Sequence, residues 1–498
     1  PRMRRFGLGH RAVACQSYIG AIFQMMHFDR FKQRLGQFNR IYLACRDPAP
    51  QIRRALVQPI LHVAPRLPLV RTVATGWRMD NPRSAHILQS MNFDSDILIV
   101  GGGLNGPILS VALAKAVHKV TVIDALKEEV RLDAEFDGRS YAVALTSCRL
   151  LEGIGLWNSI AEHAQPILQI NVTDGRAGEG PSPFFMHFDH SEIEEGPMGH
   201  MIQDRHLRAA LLDLMSATRG CTHLSGCTVT DQIADMSGVT VTLSDGRSLR
   251  GRVLVGADGR ESGTAARAGI RRTGWGYGQT ALVCAINHAK PHEGTAHQFF
   301  MPPGQLAILP LPGNRSSIVW SETASQAQAI HAMSDADYLD VLRPRFGSFL
   351  GEISLAGKRF TYPLSLSLAN HLVADRVTLV GDAAHGLHPI AGQGLNAGMR
   401  DIAALAEVLT DGARRGEDIG SAQVLSRYES WRRFDNTALA VATDTFNRLF
   451  SNDNPLLRIS RDIGMGMINA MPRMRRGFIR EAAGLTGNLP RLMQNQPL

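Results

Sequence analysis

Two remote glycine-rich segments constrain this chain more tightly than anything else in it. The first is Gly101-Gly102-Gly103-Leu104-Asn105-Gly106; the second opens Gly381-Asp382-Ala383-Ala384-His385 and runs on through His388-Pro389-Ile390-Ala391-Gly392-Gln393-Gly394-Leu395-Asn396. Ahead of the first, Asp96-Ile97-Leu98-Ile99-Val100 reads as an apolar strand. Leu104 to Val117 reads as a helix, and Val120-Thr121-Val122-Ile123-Asp124 as a second strand. That is a βαβ unit of about thirty residues. In such a unit Gly101 permits the tight turn, Gly103 lets the backbone approach a pyrophosphate, and Gly106 lets the helix pack on the strand. The helix N-terminus then turns its unpaired N–H groups toward the phosphates. Asp124 ends the second strand, where a carboxylate accepts from ribose hydroxyls. An acid there disfavours a 2′-phosphate, so the expected ligand is FAD or NAD rather than NADP.

The second segment follows another apolar strand, Arg376 to Val380. After Gly381, Asp382 is placed to accept from a ribityl hydroxyl. Pro389 fixes its own φ, and Gly392 and Gly394 carry no side chain. A loop so bare, running Pro389, Gly392, Gln393, Gly394, Leu395, Asn396, lets a flat ring lie against backbone. A helix beginning near Gly394 would stabilise negative charge at the N1–C2=O edge of a reduced flavin. His385 reads as structural, since a histidine beside a tight turn seldom acts as an acid or base. Between the two signatures, Val253-Leu254-Val255-Gly256-Ala257-Asp258-Gly259 repeats the strand-then-turn pattern, with Asp258 placed to order the cofactor-side loop. Asp-Gly alone is mostly a turn signal; position gives this one its weight. Arg139, in Asp137-Gly138-Arg139-Ser140-Tyr141, is placed to meet a cofactor phosphate or the flavin edge.

Composition narrows the class. With 498 residues there is room for two or three domains, and 44% apolar with 20% charged residues is a globular balance. No run approaches the 18 apolar residues of a membrane span. The six cysteines (15, 45, 148, 221, 227 and 284) show no paired or metal-ligand spacing. Beside a flavin they point to a reducing compartment, no disulfide framework and no metal. The net charge of +8 sits mostly at the two ends, so nucleic acid is not an expected partner. Residues 1–90 are rich in arginine and proline and lack the pattern of a secretory signal. They read as an extension whose status stays open, with Met91 as a natural start for the enzyme proper. A faint echo of Phe38-Asn39-Arg40 in Phe446-Asn447-Arg448 is weak support for a repeat.

In this order the segments resemble the aromatic-hydroxylase class of flavoprotein monooxygenases with the p-hydroxybenzoate hydroxylase fold. They are most similar to the ubiquinone-biosynthesis flavin hydroxylases. Gly101 to Gly106, Gly256 to Gly259, Leu306 to Pro312 with Ser317 to Trp320, and Gly381 to Asp401 carry the likeness. It covers about residues 92–485. The family often has an arginine shortly after the Asp-Gly segment; the residue taken for it here is Arg267, displaced, which leaves that segment's polar contacts open.

The resemblance implies an α/β fold. A Rossmann-like FAD-binding domain is expected from 91–165, 200–270 and 370–435. An antiparallel-sheet substrate domain is expected from 166–199 and 271–369, and a helical C-terminal tail from 436–498. Short alternating strands at Thr280–Asn287, His297–Met301, Gln305–Leu311 and Ser316–Ser321 agree with it. The resemblance also implies a cycle: NAD(P)H reduces FAD as a transient donor, O₂ adds to give a C4a-hydroperoxide, and oxygen passes to the ring of a prenylated phenol or benzoquinol. The catalytic residues stay unknown, the chemistry being flavin-borne. Partners in a ubiquinone-biosynthesis complex are implied as well.

In the tail, Leu456, Ile459, Ile463, Met467, Met471, Met474 and Phe478 recur at helical spacing among Arg458, Arg461, Arg473, Arg475, Arg476 and Arg480. This reads either as a helix packed on the FAD domain or as a basic amphipathic contact with a membrane. The expected location is cytoplasmic, peripheral on the inner face of the membrane. Two alternatives stay open: a flavin monooxygenase of a soluble aromatic, and a non-catalytic flavoprotein of a biosynthetic complex.

Overall fold

The computed structural model describes residues 93–498 apart from 134–137, 177, 179 and 452–463. All of them fall in the compact unit Pro82–Leu498. The extension 1–90, its echo with 446–448, and Leu456, Arg458, Ile459, Arg461 and Ile463 lie outside the described residues.

Strands Val377–Leu379, Ser248–Gly256, Ser95–Val100, Val120–Asp124 and Cys221–Ser225 lie side by side, all parallel. Their runs of Ile, Leu and Val are continuous rather than alternating, which is the mark of a sheet covered on both faces. Ile97 and Ile99 join Ile108, Val111 and Val122 in one core. Leu98 and Val100 join Val239, Val241 and Leu254 in another, beneath the hairpin Val229–Ala234 and Val239–Leu243. The helix after the glycine run spans Asn105–Lys115, shorter than expected. It stops because Val117 takes a positive φ of 69°.

A second sheet has nine strands among the described residues, in the order His385–Gly386, Phe360–Ala369, Arg272–His288, Arg315–Thr323, Gly304–Leu311, Thr295–Met301, Gln169–Arg176, Gly180–Asp189, with Ile353–Leu355 added on Arg272–His288. The expected strands are present within longer ones. One departure from a purely antiparallel sheet is the parallel pairing of Thr295–Met301 with Gln169–Arg176. Strand Gln169–Arg176 enters from a distant part of the chain, so no hairpin constrains its direction. Helices Ala324–His331 and Asp335–Phe346 cover this sheet through Ala327, Ile330, Tyr338 and Leu342. Ser140–Ala144, Gly199–Gln203 and Gln165–Ile167 form a third, small sheet, with Val143 and Ile202 in the core of the parallel sheet and Ile167 and Met201 in a core with strands of the nine-stranded one.

Two expected boundaries move. His385–Gly386 pairs with Phe360–Ala369, so the second glycine signature passes from the parallel sheet directly into the substrate sheet. Helix Ala422–Phe450 runs unbroken through position 436, where a separate tail was expected. Its buried face carries Tyr428, Arg432, Asn436 and Ala440, which continue the packing of the cofactor side. Helix Pro472–Ala482 seats Ile479 and Phe478 in a core with Phe188 and Met198 that also takes in Ala142, Leu145 and Met201. Leu492 and Met493 beyond it join the core of the parallel sheet.

A buried network ties these elements together. Asp401, fully buried on helix Gln393–Arg414, accepts from Gly381 N at 3.2 Å, Arg432 Nε at 2.8 Å and Asn436 Nδ2 at 3.1 Å, and its Oδ2 lies 2.5 Å from His385 Nε2. Burial opposes charge on this carboxyl, but His385 and Arg432 outweigh it and hold it down at about 2. A depressed carboxyl contributes stability in full above its unfolded value of about 3.9, and loses it as pH falls through the folded value. Asp401→Asn leaves Arg432 without its buried counter-charge, and such losses run at about 3–5 kcal/mol. Denaturant unfolding at neutral pH should show a deficit of that order, shrinking as pH falls from about 4 toward 2.

Candidate functional site

The glycine run closes on itself before it can hold anything. Gly101 has φ 118°, and a Cβ there would collide with the Ala257 carbonyl. A Cβ at Gly102 would collide with the Asp124 carboxylate, and one at Gly106 with the carbonyl of Gly101. Gly103 differs: a Cβ there would meet nothing within 4 Å. That open space faces the start of helix Asn105–Lys115, whose N-terminal N–H groups receive no side-chain cap. Bare N–H groups beside open space suit a pyrophosphate.

Asn105 joins the two glycine signatures. Its side chain lies where a Cβ at Gly381 would collide, and Gly398 packs on it as well. Its Oδ1 is buried with no protein partner. Gly381 itself takes φ 59°.

The 389–396 loop is held from both ends. Gly392 adopts φ 64° as the residue capping helix Gln393–Arg414. A Cβ on it would press within 3.1 Å of Ala142 Cβ, whereas Gly394 opens on free space. Asn396 donates to the carbonyls of Ala142 and Gly392 at 2.8 and 3.1 Å and accepts from Ala144 N at 2.9 Å. Its side chain therefore staples the loop to strand Ser140–Ala144. Leu395 packs against the core of the parallel sheet. His388, just before Pro389, is fully buried, and neither ring nitrogen has a protein partner. Burial and the nearby Arg260 push its pKa down to about 4. Orphaned polar atoms at Asn105 and His388, one on each glycine signature, are what a polar flat cofactor would complete.

Three predicted acids are engaged within the chain. Asp124 takes a two-point ion pair from Arg131, both contacts at 2.9 Å. Asp258 accepts from Ser262 Oγ at 2.5 Å and Thr264 N at 2.9 Å, so it orders the turn into the short helix Gly263–Arg267. Asp382 is partly exposed and pairs with Arg260 at 3.2 Å. Arg139 lies exposed over the rings of Tyr141 and Tyr362.

Arg260, directly after Gly259, is the arginine of the middle segment. It reaches Asp382, Ser365 Oγ at 3.4 Å and the Leu387 carbonyl at 3.3 Å. Arg267 instead bonds Gln232 on the far side, which corrects the expectation that placed it here. Arg272 was not foreseen at all. It donates to the carbonyls of Ala383 and Asp382 at 2.6 and 2.9 Å and so fixes the Gly-Asp turn. Adjacency to Asp-Gly could have revealed Arg260; nothing local could have revealed Arg272. His385 is a buried partner of Asp401, in line with a structural role.

Comparison with known proteins agrees with this geometry. The family described as FAD binding domain matches residues 94–441. The ubiquinone hydroxylase UbiL of Rhodospirillum rubrum is 44% identical over 436 residues, covering 86% of this chain and 99% of that protein. The 3-demethoxyubiquinol 3-hydroxylase of Escherichia coli is 31% identical over 402 residues, covering 79% and 100%. Among solved structures, the p-nitrophenol 4-monooxygenase PnpA of Pseudomonas putida superposes with a TM-score of 0.67 at 19% identity, covering 80% of this chain and all of that one. That last likeness is one of fold. Cradle, sheet and sequence kinship agree: this chain is an FAD-dependent monooxygenase and belongs to the ubiquinone-biosynthesis family of flavin aromatic hydroxylases.

Proposed function

We propose that this enzyme hydroxylates the aromatic ring of a polyprenylated phenol or benzoquinol on the way to ubiquinone. The observation that carries the reading is that Asn105, at the end of the glycine run, packs against Gly381 and Gly398, while His385–Gly386 carries that turn onto the edge of the nine-stranded sheet, in a chain so similar to a ubiquinone hydroxylase along its length. Bound FAD supplies the electron transfer and oxygen activation, with NAD(P)H as donor. The chain's own residues do the rest. Gly103 and the N–H groups of helix Asn105–Lys115 bind the pyrophosphate. Arg260 and Arg272 hold Asp382 toward the ribityl chain. Gly392 and Gly394 present bare backbone to the ring, and Asn396 keeps that loop in place. The apolar sheet excludes water from the reacting face, as an oxygen-transfer site requires.

A surface feature supports the lipid-tailed substrate. Val441, Phe446, Met467 and Met471 are exposed large apolar residues near the chain's end. Arg473 and Arg476 are exposed close to Met467 and Met471 in sequence, whereas Arg475 and Arg480 are engaged with Glu192 and Glu195. No helix among the described residues is long and apolar enough to cross a membrane. We place this surface against the inner face of the membrane, where tailed substrate collects.

The test of the whole reading is quinone profiling by mass spectrometry in a bacterial hydroxylase mutant carrying this chain. Restored ubiquinone is the expected result, and the intermediate that disappears names the ring position. An unchanged intermediate with FAD bound would turn the reading to a soluble aromatic substrate.

The two kinds of glycine give a sharper test. Gly103→Val should fold with near-parental thermal stability yet retain FAD at least about tenfold less well, a loss of about 1.4 kcal/mol. Gly106→Val should instead lower the melting temperature, because its side chain overlaps the Gly101 carbonyl. A yellow, fully loaded Gly103→Val protein would remove the pyrophosphate from that place. Asp382→Ala should weaken FAD binding more than Asp258→Ala; equal cofactor occupancy in the two would count against the ribityl contact.

A further inference from the structure

Helix Ala422–Phe450 touches both halves of the site. Arg432, Asn436, Ala440, Thr443, Asn447 and Phe450 form its buried stripe, in steps of three and four that keep to one face. Arg432 and Asn436 reach Asp401, which holds the Gly-Asp turn. About 16 Å further along the helix, Asn447 reaches the substrate sheet. Its Nδ2 donates to Gln279 Oε1 at 3.1 Å. Gln279 Nε2 donates to the Pro303 carbonyl at 2.8 Å and to Ser451 Oγ at 3.4 Å, and Ser451 Oγ donates back to Asn447 Oδ1 at 2.9 Å. Gln279 is 8% exposed and Asn447 5%. Phe450 lies on Phe300 of the same sheet, ring centroids 4.1 Å apart.

The strand that carries Gln279 is irregular just before it. Its pairing with Phe360–Ala369 shifts between Gly276 and Thr280, and Gly278 takes φ 67°. Arg272, fixed to the Gly-Asp turn, therefore does not set where the strand lies beyond that irregularity. Ala281 and Val283 share the face of Gln279. They form an apolar cluster with Leu364, which Tyr277 joins. Tyr277 also packs in the cluster that holds Leu387 and Ala397, and stands edge-on to His388 at 5.0 Å. The face of Gln279 is thus the one turned toward the 387–397 segment.

Two apolar side chains of the same shape would hold this contact about as well as two amides. What buried amides add is register, because a helix slid along the strand leaves them without partners. We propose that Gln279 and Asn447 are a positioning pair, which sets the substrate sheet over the cofactor loop through the helix anchored at Asp401. The proposal rests on the hydroxylase reading, since oxygen transfer is a step in which a misplacement of about 1 Å can cost about a hundredfold in rate. When transfer fails, a hydride from NAD(P)H and a proton reduce O₂ to hydrogen peroxide in place of product.

The experiment compares the parental holoenzyme with the Leu pair, Gln279→Leu with Asn447→Leu, and with the swapped pair, Gln279→Asn with Asn447→Gln. Pro303 and Ser451 are partly exposed, so water takes up the contacts that the Leu pair gives up. FAD content and melting temperature should stay near parental in both. With 2-geranylphenol and NAD(P)H, the share of reducing equivalents recovered as hydrogen peroxide should rise at least about threefold in the Leu pair, with product turnover lower and KM little changed. The swapped pair should bring that share back toward parental. Without any aromatic present, deuterium exchange at the backbone amides of 279–283 should quicken at least about threefold in the Leu pair alone. Should the Leu pair not fold, Asn447→Ala, which leaves room for a water beside Gln279, is expected to give the same readings. Parental coupling or parental amide exchange in the Leu pair, or a peroxide rise that persists in the swapped pair, overturns the proposal. Failure of the hydroxylase reading shows instead in the parental protein, as a phenol left untouched, and the amide exchange still judges the pair.

Discussion

Asp401 has no exposed surface, and a carboxylate so placed is tolerated only because its neighbours close on it from several elements. Taking the ion out of water costs several kcal/mol, which only well-placed counter-charges and hydrogen bonds offset. Here the Gly381 N–H comes from the cofactor turn, His385 from the first residue of a substrate-sheet strand, and Arg432 and Asn436 from the long helix Ala422–Phe450. One side chain thus decides where four segments meet. It also explains why the long helix belongs with the cofactor side although it lies beyond the last glycine signature. Tyr428, one turn before Arg432, donates to the Leu379 carbonyl at 2.8 Å and fixes the same helix to the end of the parallel sheet.

The glycines around the site serve two unlike purposes. Gly101, Gly102, Gly106 and Gly381 are glycines because protein atoms already occupy the place of a side chain. They let backbone from residues 101, 257 and 381 come together with the side chains of Asn105 and Asp124. Gly103 and Gly394 are glycines beside empty space. The first group makes the fold; the second leaves open space, which is what the proposed cofactor placement requires. A motif written in glycines shows both alike, so the division becomes visible only when the neighbours are in place.

Much of the architecture could be read from local pattern. Asp96–Val100, Val120–Asp124 and Val253–Gly256 are apolar runs that end in turns, and they form parallel strands with Asp96–Val100 between the other two. The substrate strands show their alternation and appear within one or two residues of the expected limits, except Arg272–His288, which begins eight residues before Thr280. What escaped was what depends on partners far along the chain. Asp124, Asp258 and Asn396 stand beside the glycine turns where the sequence puts them, but their hydrogen bonds run to Arg131, to Ser262 and Thr264, and to Ala142, Ala144 and Gly392. The parallel pairing of Gln169–Arg176 and the unbroken helix through residue 436 were hidden for the same reason: strand direction and helix continuity are settled by packing.

The route of the chain between its two sheets bears on how the enzyme works. Leu379 ends a strand of the parallel sheet and His385 begins one of the substrate sheet, with the Gly-Asp turn as the whole connection. Arg272, the first residue of the longest substrate strand, reaches back to two carbonyls of that turn. Arg260 bridges Asp382 to Ser365 on the neighbouring strand. Cofactor turn and substrate roof are therefore joined covalently, by a two-point arginine contact, and by an ion pair. A displacement of Arg272 or Ser365 would therefore bear on Asp382 and the backbone beside it. Packed elements of this kind shift between discrete arrangements rather than bend smoothly. The contacts that hold the Gly-Asp turn are thus the ones that tie the two sheets together, without any element set aside for that purpose.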